Sequence, residues 1–234
     1  MLSLTKEIKK LLTDNGADMV GVGKIDELEP EIRKDMPYGI IIAIAIPKDI
    51  VKMLREAPSM EYFKAYNSIN DKLDKLSLLG ADFLKNAGYQ AYPQTNAAVK
   101  KNATEYNTQL PHKTVATRSG IGWIGKCALL ITKEFGSAIR LTSILTDAPL
   151  DAGSPIDESK CGSCVVCMNA CPGNAVKGIN WNINTAREAY YDPVKCKRKA
   201  REISKEMLNE EITLCGKCIN VCPYTQAYLK SSEI

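Results

Sequence analysis

Residues 161–172 read CGSCVVCMNACP, with cysteines at C-x2-C-x2-C-x3-C and a proline after the last. Near the C-terminus, residues 214–223 read LCGKCINVCP, which repeats the final three cysteines and the proline. Four thiolates at such steps hold a cubane iron–sulfur cluster. A zinc site would account for four cysteines, not for eight with a proline closing the run twice. The rest of the chain then has to give electrons to this region or take them from it.

Nine cysteines point to metal where thiols are kept reduced, and a cytoplasmic location is the expectation. The longest apolar run, residues 39–47, is far too short to span a bilayer, so no membrane association is expected. Residues 1–12 are amphipathic with charges throughout, unlike a signal peptide. The formal charge of +4 carries no argument for nucleic acid. Eight ligating thiolates bring about −8 and two oxidised cubanes about +4, leaving the loaded chain near neutral. The basic run at 195–201 (KCKRKAR) reads as a solvated helix face, with docking of an acidic electron donor as its functional reading.

In two-cluster ferredoxins the fourth cysteine of each motif ligates the other cluster. One cluster is then held by Cys161, Cys164, Cys167 and Cys222. The second motif lacks its leading cysteine, and Cys196 is the candidate left in this half to supply it. The other cluster is then held by Cys171, Cys196, Cys215 and Cys218. Cys127, the ninth, lies outside both motifs and reads as a small buried hydrophobe in preference to a catalytic thiol.

Upstream, residues 3–15 have a helical face of Leu4, Ile8, Leu11 and Leu12, stopped by Gly16. Residues 17–22 and the β-branched run 39–46 read as strands, the latter buried on both faces. A long helix is expected over 60–86 from Tyr62, Tyr66, Ile69, Leu73, Leu76, Leu79 and Phe83. A short strand at 88–92 ends at Pro93, a polar loop covers 95–111, and a short helix covers 113–118. A glycine-rich turn at 119–126 precedes strands at 128–132 and 138–145. This pattern implies an α/β domain at 1–154 for cofactor or substrate, then a cluster-binding domain at 155–234. The boundary falls in the Pro-, Gly- and Asp-rich stretch 147–157.

Gly120, Gly122 and Gly125 spell G-x-G-x-x-G before Lys126, but a dinucleotide fingerprint follows a strand and opens a helix. Here a helix precedes and a strand follows, and Cys127 stands where a P-loop needs Ser or Thr, so both readings are rejected. The glycines around Trp123 instead let the backbone approach a flat cofactor or the first cluster. Lys113 and Arg118 are read as solvated charges, or as holding a cofactor's phosphate or propionamide groups.

The stretch PHKTVATRSGIGWIGKCALLITKEFGS, then RLTSILTDAPL, then the two cysteine motifs resembles the epoxyqueuosine reductase family, related to the cobalamin-dependent reductive dehalogenases. The resemblance implies a nitroreductase-like N-terminal α/β fold that holds cobalamin beside a ferredoxin-like domain with two 4Fe-4S clusters. By position it implies corrin contacts from Lys113, Gly122, Trp123, Gly125, Lys126, Leu130 and Ser143. The family's acidic proton donor falls at Tyr106 by a gapless count back from Lys113, with Glu105 beside it. His112, the one histidine, is a further candidate proton donor. The sequence ends soon after Cys222 without the family's repeat extension, so tRNA is not the expected substrate.

The leading expectation is an iron–sulfur reductase that draws electrons from a ferredoxin or flavodoxin. It would pass them to a cobalamin, with FMN as alternative, or directly to a small-molecule or corrinoid acceptor. The other reading is an electron carrier or activating subunit that reduces a partner's metal or corrinoid centre without a substrate site of its own. A homodimer is left open.

Overall fold

A computed structural model describes residues 3–55, 58–99, 101–102 and 107–231. The first helix, α1 (Leu4–Asp14), starts at Ser3, whose side chain accepts the Lys6 amide, and stops at Gly16 with φ +94°. β1 (Met19–Lys24) begins two residues later than the apolar pattern implies. The Ala17 amide is spent on the Leu12 carbonyl at 3.0 Å, so this residue belongs to the end of α1. Then come α2 (Pro30–Arg33), β2 (Tyr38–Ala45), α3 (Lys48–Met53), α4 (Met60–Asn86) and β3 (Ala91–Pro93). Pro93 sits inside β3, where a proline is tolerated because β3 is an edge strand. Two-residue strands β4 (Lys101–Asn102) and β5 (Asn107–Thr108) precede α5 (His112–Arg118). β6 (Trp123–Ile124), β7 (Leu130–Ile131) and β8 (Ile139–Thr146) lead into the cysteine-rich half. That half carries α6 (Val166–Asn169), α7 (Arg187–Tyr190), α8 (Pro193–Leu208), α9 (Lys217–Asn220) and α10 (Pro223–Lys230). No helix among the described residues is long and apolar enough to cross a membrane.

Two units form, and each draws on separate stretches of chain. One comprises Met1–Ile44, Ile69–Gly122 and Arg140–Ile156. It holds a four-stranded sheet in the order β1-β2-β8-β3, with β1 antiparallel to β2 and β3 antiparallel to β8. Residues 39–44 are all buried, so both faces of β2 are covered, as its unbroken β-branched run implies. α5 lies close on β1 because Gly23 leaves room. A Cβ there would come within 2.8 Å of the Arg118 backbone. On β8, Ile144 meets α4 at Gly80 together with Ile8 and Leu12 of α1.

The buried stripe of α4 in this unit runs through Leu73, Leu76, Ser77, Ala81 and Leu84. The larger Leu79 expected there is 36% exposed. The helix approaches its neighbours on small residues, so the stripe passes to one side of the bulkier ones. Arg118 is not a solvated charge. It is 4% exposed, and its guanidinium donates to Glu27 Oε1 at 2.9 Å and to the Ile156 carbonyl at 3.3 Å.

The other unit comprises Ala45–Ser68, Trp123–Ile139 and Asp157–Ile234. Its cysteine-rich part is tied to the earlier segments by polar contacts. Asn220 Nδ2 donates to the Val51 carbonyl at 2.9 Å, and Tyr228 Oη to the Ile46 carbonyl at 3.1 Å. The Ser137 amide donates to Thr225 Oγ1 at 3.1 Å, and the Phe135 and Tyr228 rings meet edge to face at 5.2 Å.

The glycine-rich stretch expected to be only a turn contains β6, paired antiparallel with β7 through Trp123↔Ile131 and Ile124↔Leu130. The connecting turn is closed by Gly125 N–H to the Leu129 carbonyl at 2.9 Å and Ala128 N–H to the Gly125 carbonyl at 2.8 Å. Lys126 and Cys127 ride on that turn.

Candidate metal centre

The cysteines sit on short, irregular backbone. The Cys164 amide turns back onto the Cys161 carbonyl at 3.1 Å, with Gly162 at φ +55°. A single helical turn, α6, carries Cys167, and its counterpart α9, which starts directly after Gly216 at φ +84°, carries Cys218. Those two turns pack against each other. Pro223 occupies the first turn of α10, so the chain leaves Cys222 straight into a helix. Cys196 lies in the first turn of α8, whose N-cap Asp192 accepts the Lys195 amide at 3.0 Å.

The sulfurs influence one another in two groups. Cys222 feels the charge of Cys161. Cys196 feels Cys171 and Cys215, and Cys215 in turn feels Cys171. Burial first, then these neighbours, pushes the thiols of Cys196, Cys215 and Cys222 above the ordinary range. They therefore keep their protons until a metal takes them as thiolates. Protein N–H and O–H groups already donate to sulfur. The Ala175 amide reaches Cys171 Sγ at 3.3 Å, and the Tyr191 hydroxyl hydrogen-bonds Cys196. Burial holds the Tyr191 phenol well above its usual value, which keeps it a donor.

Lys126 gives an observation on whether this unit suits an anionic cluster. It is 3% exposed, and its Nζ donates to the Gly162 carbonyl at 2.9 Å. No carboxylate among the described residues pairs with it. A buried ammonium with only a neutral acceptor lacks the countercharge that burial demands. Four thiolates on an oxidised cubane carry about −2 and would supply it. The donor set, the amide on sulfur and the uncompensated ammonium all fit such a cluster.

Of the residues expected at a corrin, Trp123, Gly125, Lys126 and Leu130 lie in the cysteine-bearing unit and are buried. A Cβ on Gly125 would meet Ile131 at 2.8 Å and lie 3.6 Å from Cys161 Sγ, so this glycine admits the cysteine loop. Trp123 is 1% exposed and packs edge to face on Tyr224 at 4.9 Å. Its Nε1 has no hydrogen-bond partner among the described residues, which leaves one donor for an added group.

His112, Lys113, Gly122 and Ser143 belong to the sheet-bearing unit. His112 Nδ1 lies 3.0 Å from the buried Ser143 Oγ, a contact that orients the ring. Glu105 and Tyr106 lie outside the described residues. Sequence reasoning missed Tyr191 and the burial of Lys126. The signal for Tyr191 was its place five residues before Cys196, immediately ahead of the α8 N-cap Asp192.

Residues 160–225 match the family described as a 4Fe-4S double cluster binding domain. An epoxyqueuosine reductase from Yersinia pestis is 28% identical over 139 residues, or 58% of this chain and 33% of that protein. One from Atelocyanobacterium thalassa is 27% identical over 260 residues, covering 100% of this chain and 84% of the relative. The chain thus spans about a third of the first relative and most of the second. A solved epoxyqueuosine reductase with an epoxyqueuosine-modified tRNA stem loop matches with a TM-score of 0.62 and 23% identity, covering 96% of this chain and 66% of that one. A catabolic reductive dehalogenase, solved in complex with 3-bromo-4-hydroxybenzoic acid, gives 0.70 and 19%, covering 93% and 31%. At these identities the two solved structures speak for the fold.

Proposed function

We propose that this epoxyqueuosine reductase-like iron–sulfur protein is a reductase that carries electrons one at a time on two 4Fe-4S clusters. The observation that carries this reading is the grouping of sulfurs, Cys222 with Cys161 and Cys196 with Cys171 and Cys215. It supports one cluster on Cys161, Cys164, Cys167 and Cys222 and another on Cys171, Cys196, Cys215 and Cys218. When bound, the clusters supply the one-electron chemistry, and the protein's own residues set their electrostatics. The Lys126 ammonium offsets negative charge beside the Cys161 loop, while the Ala175 amide and Tyr191 hydroxyl draw density from Cys171 and Cys196.

In this reading residues 1–154 form a nitroreductase-like acceptor domain and residues 155–234 the electron-carrying one. A ferredoxin or flavodoxin serves as donor. His112 is the proton donor, with its ring held by Ser143. Cobalamin supplies a reducible cobalt when bound, and the Trp123 indole N–H is a group with capacity left to hold it. The solved relative named with a tRNA stem loop makes epoxyqueuosine-modified tRNA the first substrate to assay, against the expectation from sequence.

The test is anaerobic purification with iron and sulfide analysis, then titration with cobalamin and, separately, FMN. About eight iron and eight acid-labile sulfide per chain are expected, with broad visible absorption. Protein without iron and sulfide sinks the proposal. Binding of neither cobalamin nor FMN removes its acceptor half.

A further inference from the structure

Lys126 is the one buried lysine among the described residues, at 3% exposed. Its ammonium is held by a neutral acceptor, the Gly162 carbonyl at 2.9 Å, and Gly162 lies inside the turn from Cys161 to Cys164. The lysines next to other ligands are placed differently. Lys160, beside Cys161, is exposed, and the Lys195 side chain, beside Cys196, is 53% exposed, so water and salt screen both charges. Lys217, beside Cys218, turns its ammonium to the Arg55 carbonyl. We propose that Lys126 sets the potential of the Cys161 cluster alone, as a buried positive charge that stabilises its reduced form.

The backbone fixes where this charge stands. Two bonds of 2.9 and 2.8 Å between Gly125, Ala128 and Leu129 close the turn that carries Lys126. The preceding glycine lies against the same ligand set, since a Cβ on Gly125 would stand 3.6 Å from Cys161 Sγ. The turn and the Gly162 bond together hold the ammonium at the Cys161 loop.

Reduction adds one electron from the ferredoxin or flavodoxin donor and breaks no bond. The added negative charge is stabilised by a fixed positive charge nearby, more strongly in a buried site than in water, so the potential rises. The other ligand set has a neutral donor of its own, the Ala175 amide at 3.3 Å from Cys171 Sγ. Different groups therefore set the two potentials, and a change at Lys126 moves one without the other.

The inference rests on the cluster assignment above, and the experiment separates the two. Full-length wild type, Lys126→Met, Lys126→Gln, Lys126→Arg and Lys160→Met are loaded anaerobically. Each is analysed for iron and sulfide and titrated redox-wise by electron paramagnetic resonance. The expected result is full cluster content in all five. In the methionine and glutamine variants at position 126, the signal that Cys161→Ala abolishes titrates at a more negative potential, and the other signal does not move. At a fixed applied potential the reduced-to-oxidised ratio of that cluster falls on the order of tenfold or more, the effect of removing a buried unit charge. The shift persists in high salt, which screens exposed charges far more than buried ones. Lys126→Arg, which keeps the charge, and Lys160→Met, which removes an exposed one, stay near wild type. Unchanged potentials in the loaded methionine and glutamine variants overturn the proposal. An equal shift in Lys126→Arg overturns it too, because packing is then the cause. So does an equal shift of both clusters, or one in Lys160→Met as large as in Lys126→Met. Loss of a cluster from the methionine and glutamine variants also overturns it, because Lys126 is then a structural group. A wild type without iron and sulfide instead overturns the cluster reading itself.

Discussion

Around Cys196 a sulfur far from either motif meets Cys171, Cys215 and the Tyr191 hydroxyl, so the element that carries it decides which cluster it joins. Crossed ligation makes a sharp statement about single substitutions. Cys161→Ala and Cys222→Ala, 61 positions apart in the chain, should abolish the same paramagnetic signal. Cys171→Ala and Cys196→Ala should abolish the other. In each case iron falls from about eight to about four per chain. If Cys222→Ala removes the signal that Cys215→Ala also removes, the crossing is wrong. The motif cysteines stand out in the sequence because a cubane's geometry fixes their spacing locally, whereas Cys196, 19 residues before Cys215, is reached only as the cysteine left over. The setting of Lys126 was not legible there, because its partner Gly162 lies 36 residues away and only the folded chain brings them near.

At the scale of elements, α8 shows how a helix end serves a ligand. Asp192 caps it, and the Lys195 amide holds its carboxylate below the usual range. A folded-state pKa that is lowered contributes stability above the unfolded value of about 3.9. That contribution is lost as pH falls through the folded value. Asp192→Ala should therefore cost about 1 kcal/mol at neutral pH by denaturant unfolding. The difference from wild type should close in the acid range below pH ~3.9, and a gap that persists there argues against capping. The same variant frays the turn bearing Cys196, so its cluster should be lost faster to a chelator.

Elements with strong periodicity were readable from sequence. The helix at 60–86 forms over the residues expected, and the run at 39–46 is a doubly buried strand within one residue. The glycine segment was harder. Glycines signal a turn, whereas the pairing of Trp123 with Ile131 depends on a strand partner that local composition does not reveal.

For the whole molecule, the cysteine-bearing unit is not one stretch of chain, because residues 45–68 and 123–139 belong to it. A division at residue 154 separates functions in the proposal above, but a fragment of residues 155–234 would lose the partners of its own buried groups. Asn220, 7% exposed, would lose the Val51 carbonyl, and Thr225, 0% exposed, would lose the Ser137 amide. Tyr228 would lose the Ile46 carbonyl and the Phe135 ring, and the Gly162 loop would lose Lys126. Each buried group left unpaired costs about 1–3 kcal/mol, and a domain's whole stability is only about 5–15 kcal/mol. The fragment, loaded anaerobically beside the full chain, should hold less iron and give it up faster to a chelator. It should also unfold at lower denaturant by circular dichroism. A fragment that keeps about eight iron as firmly as the full chain would show that the two earlier segments are dispensable to the clusters.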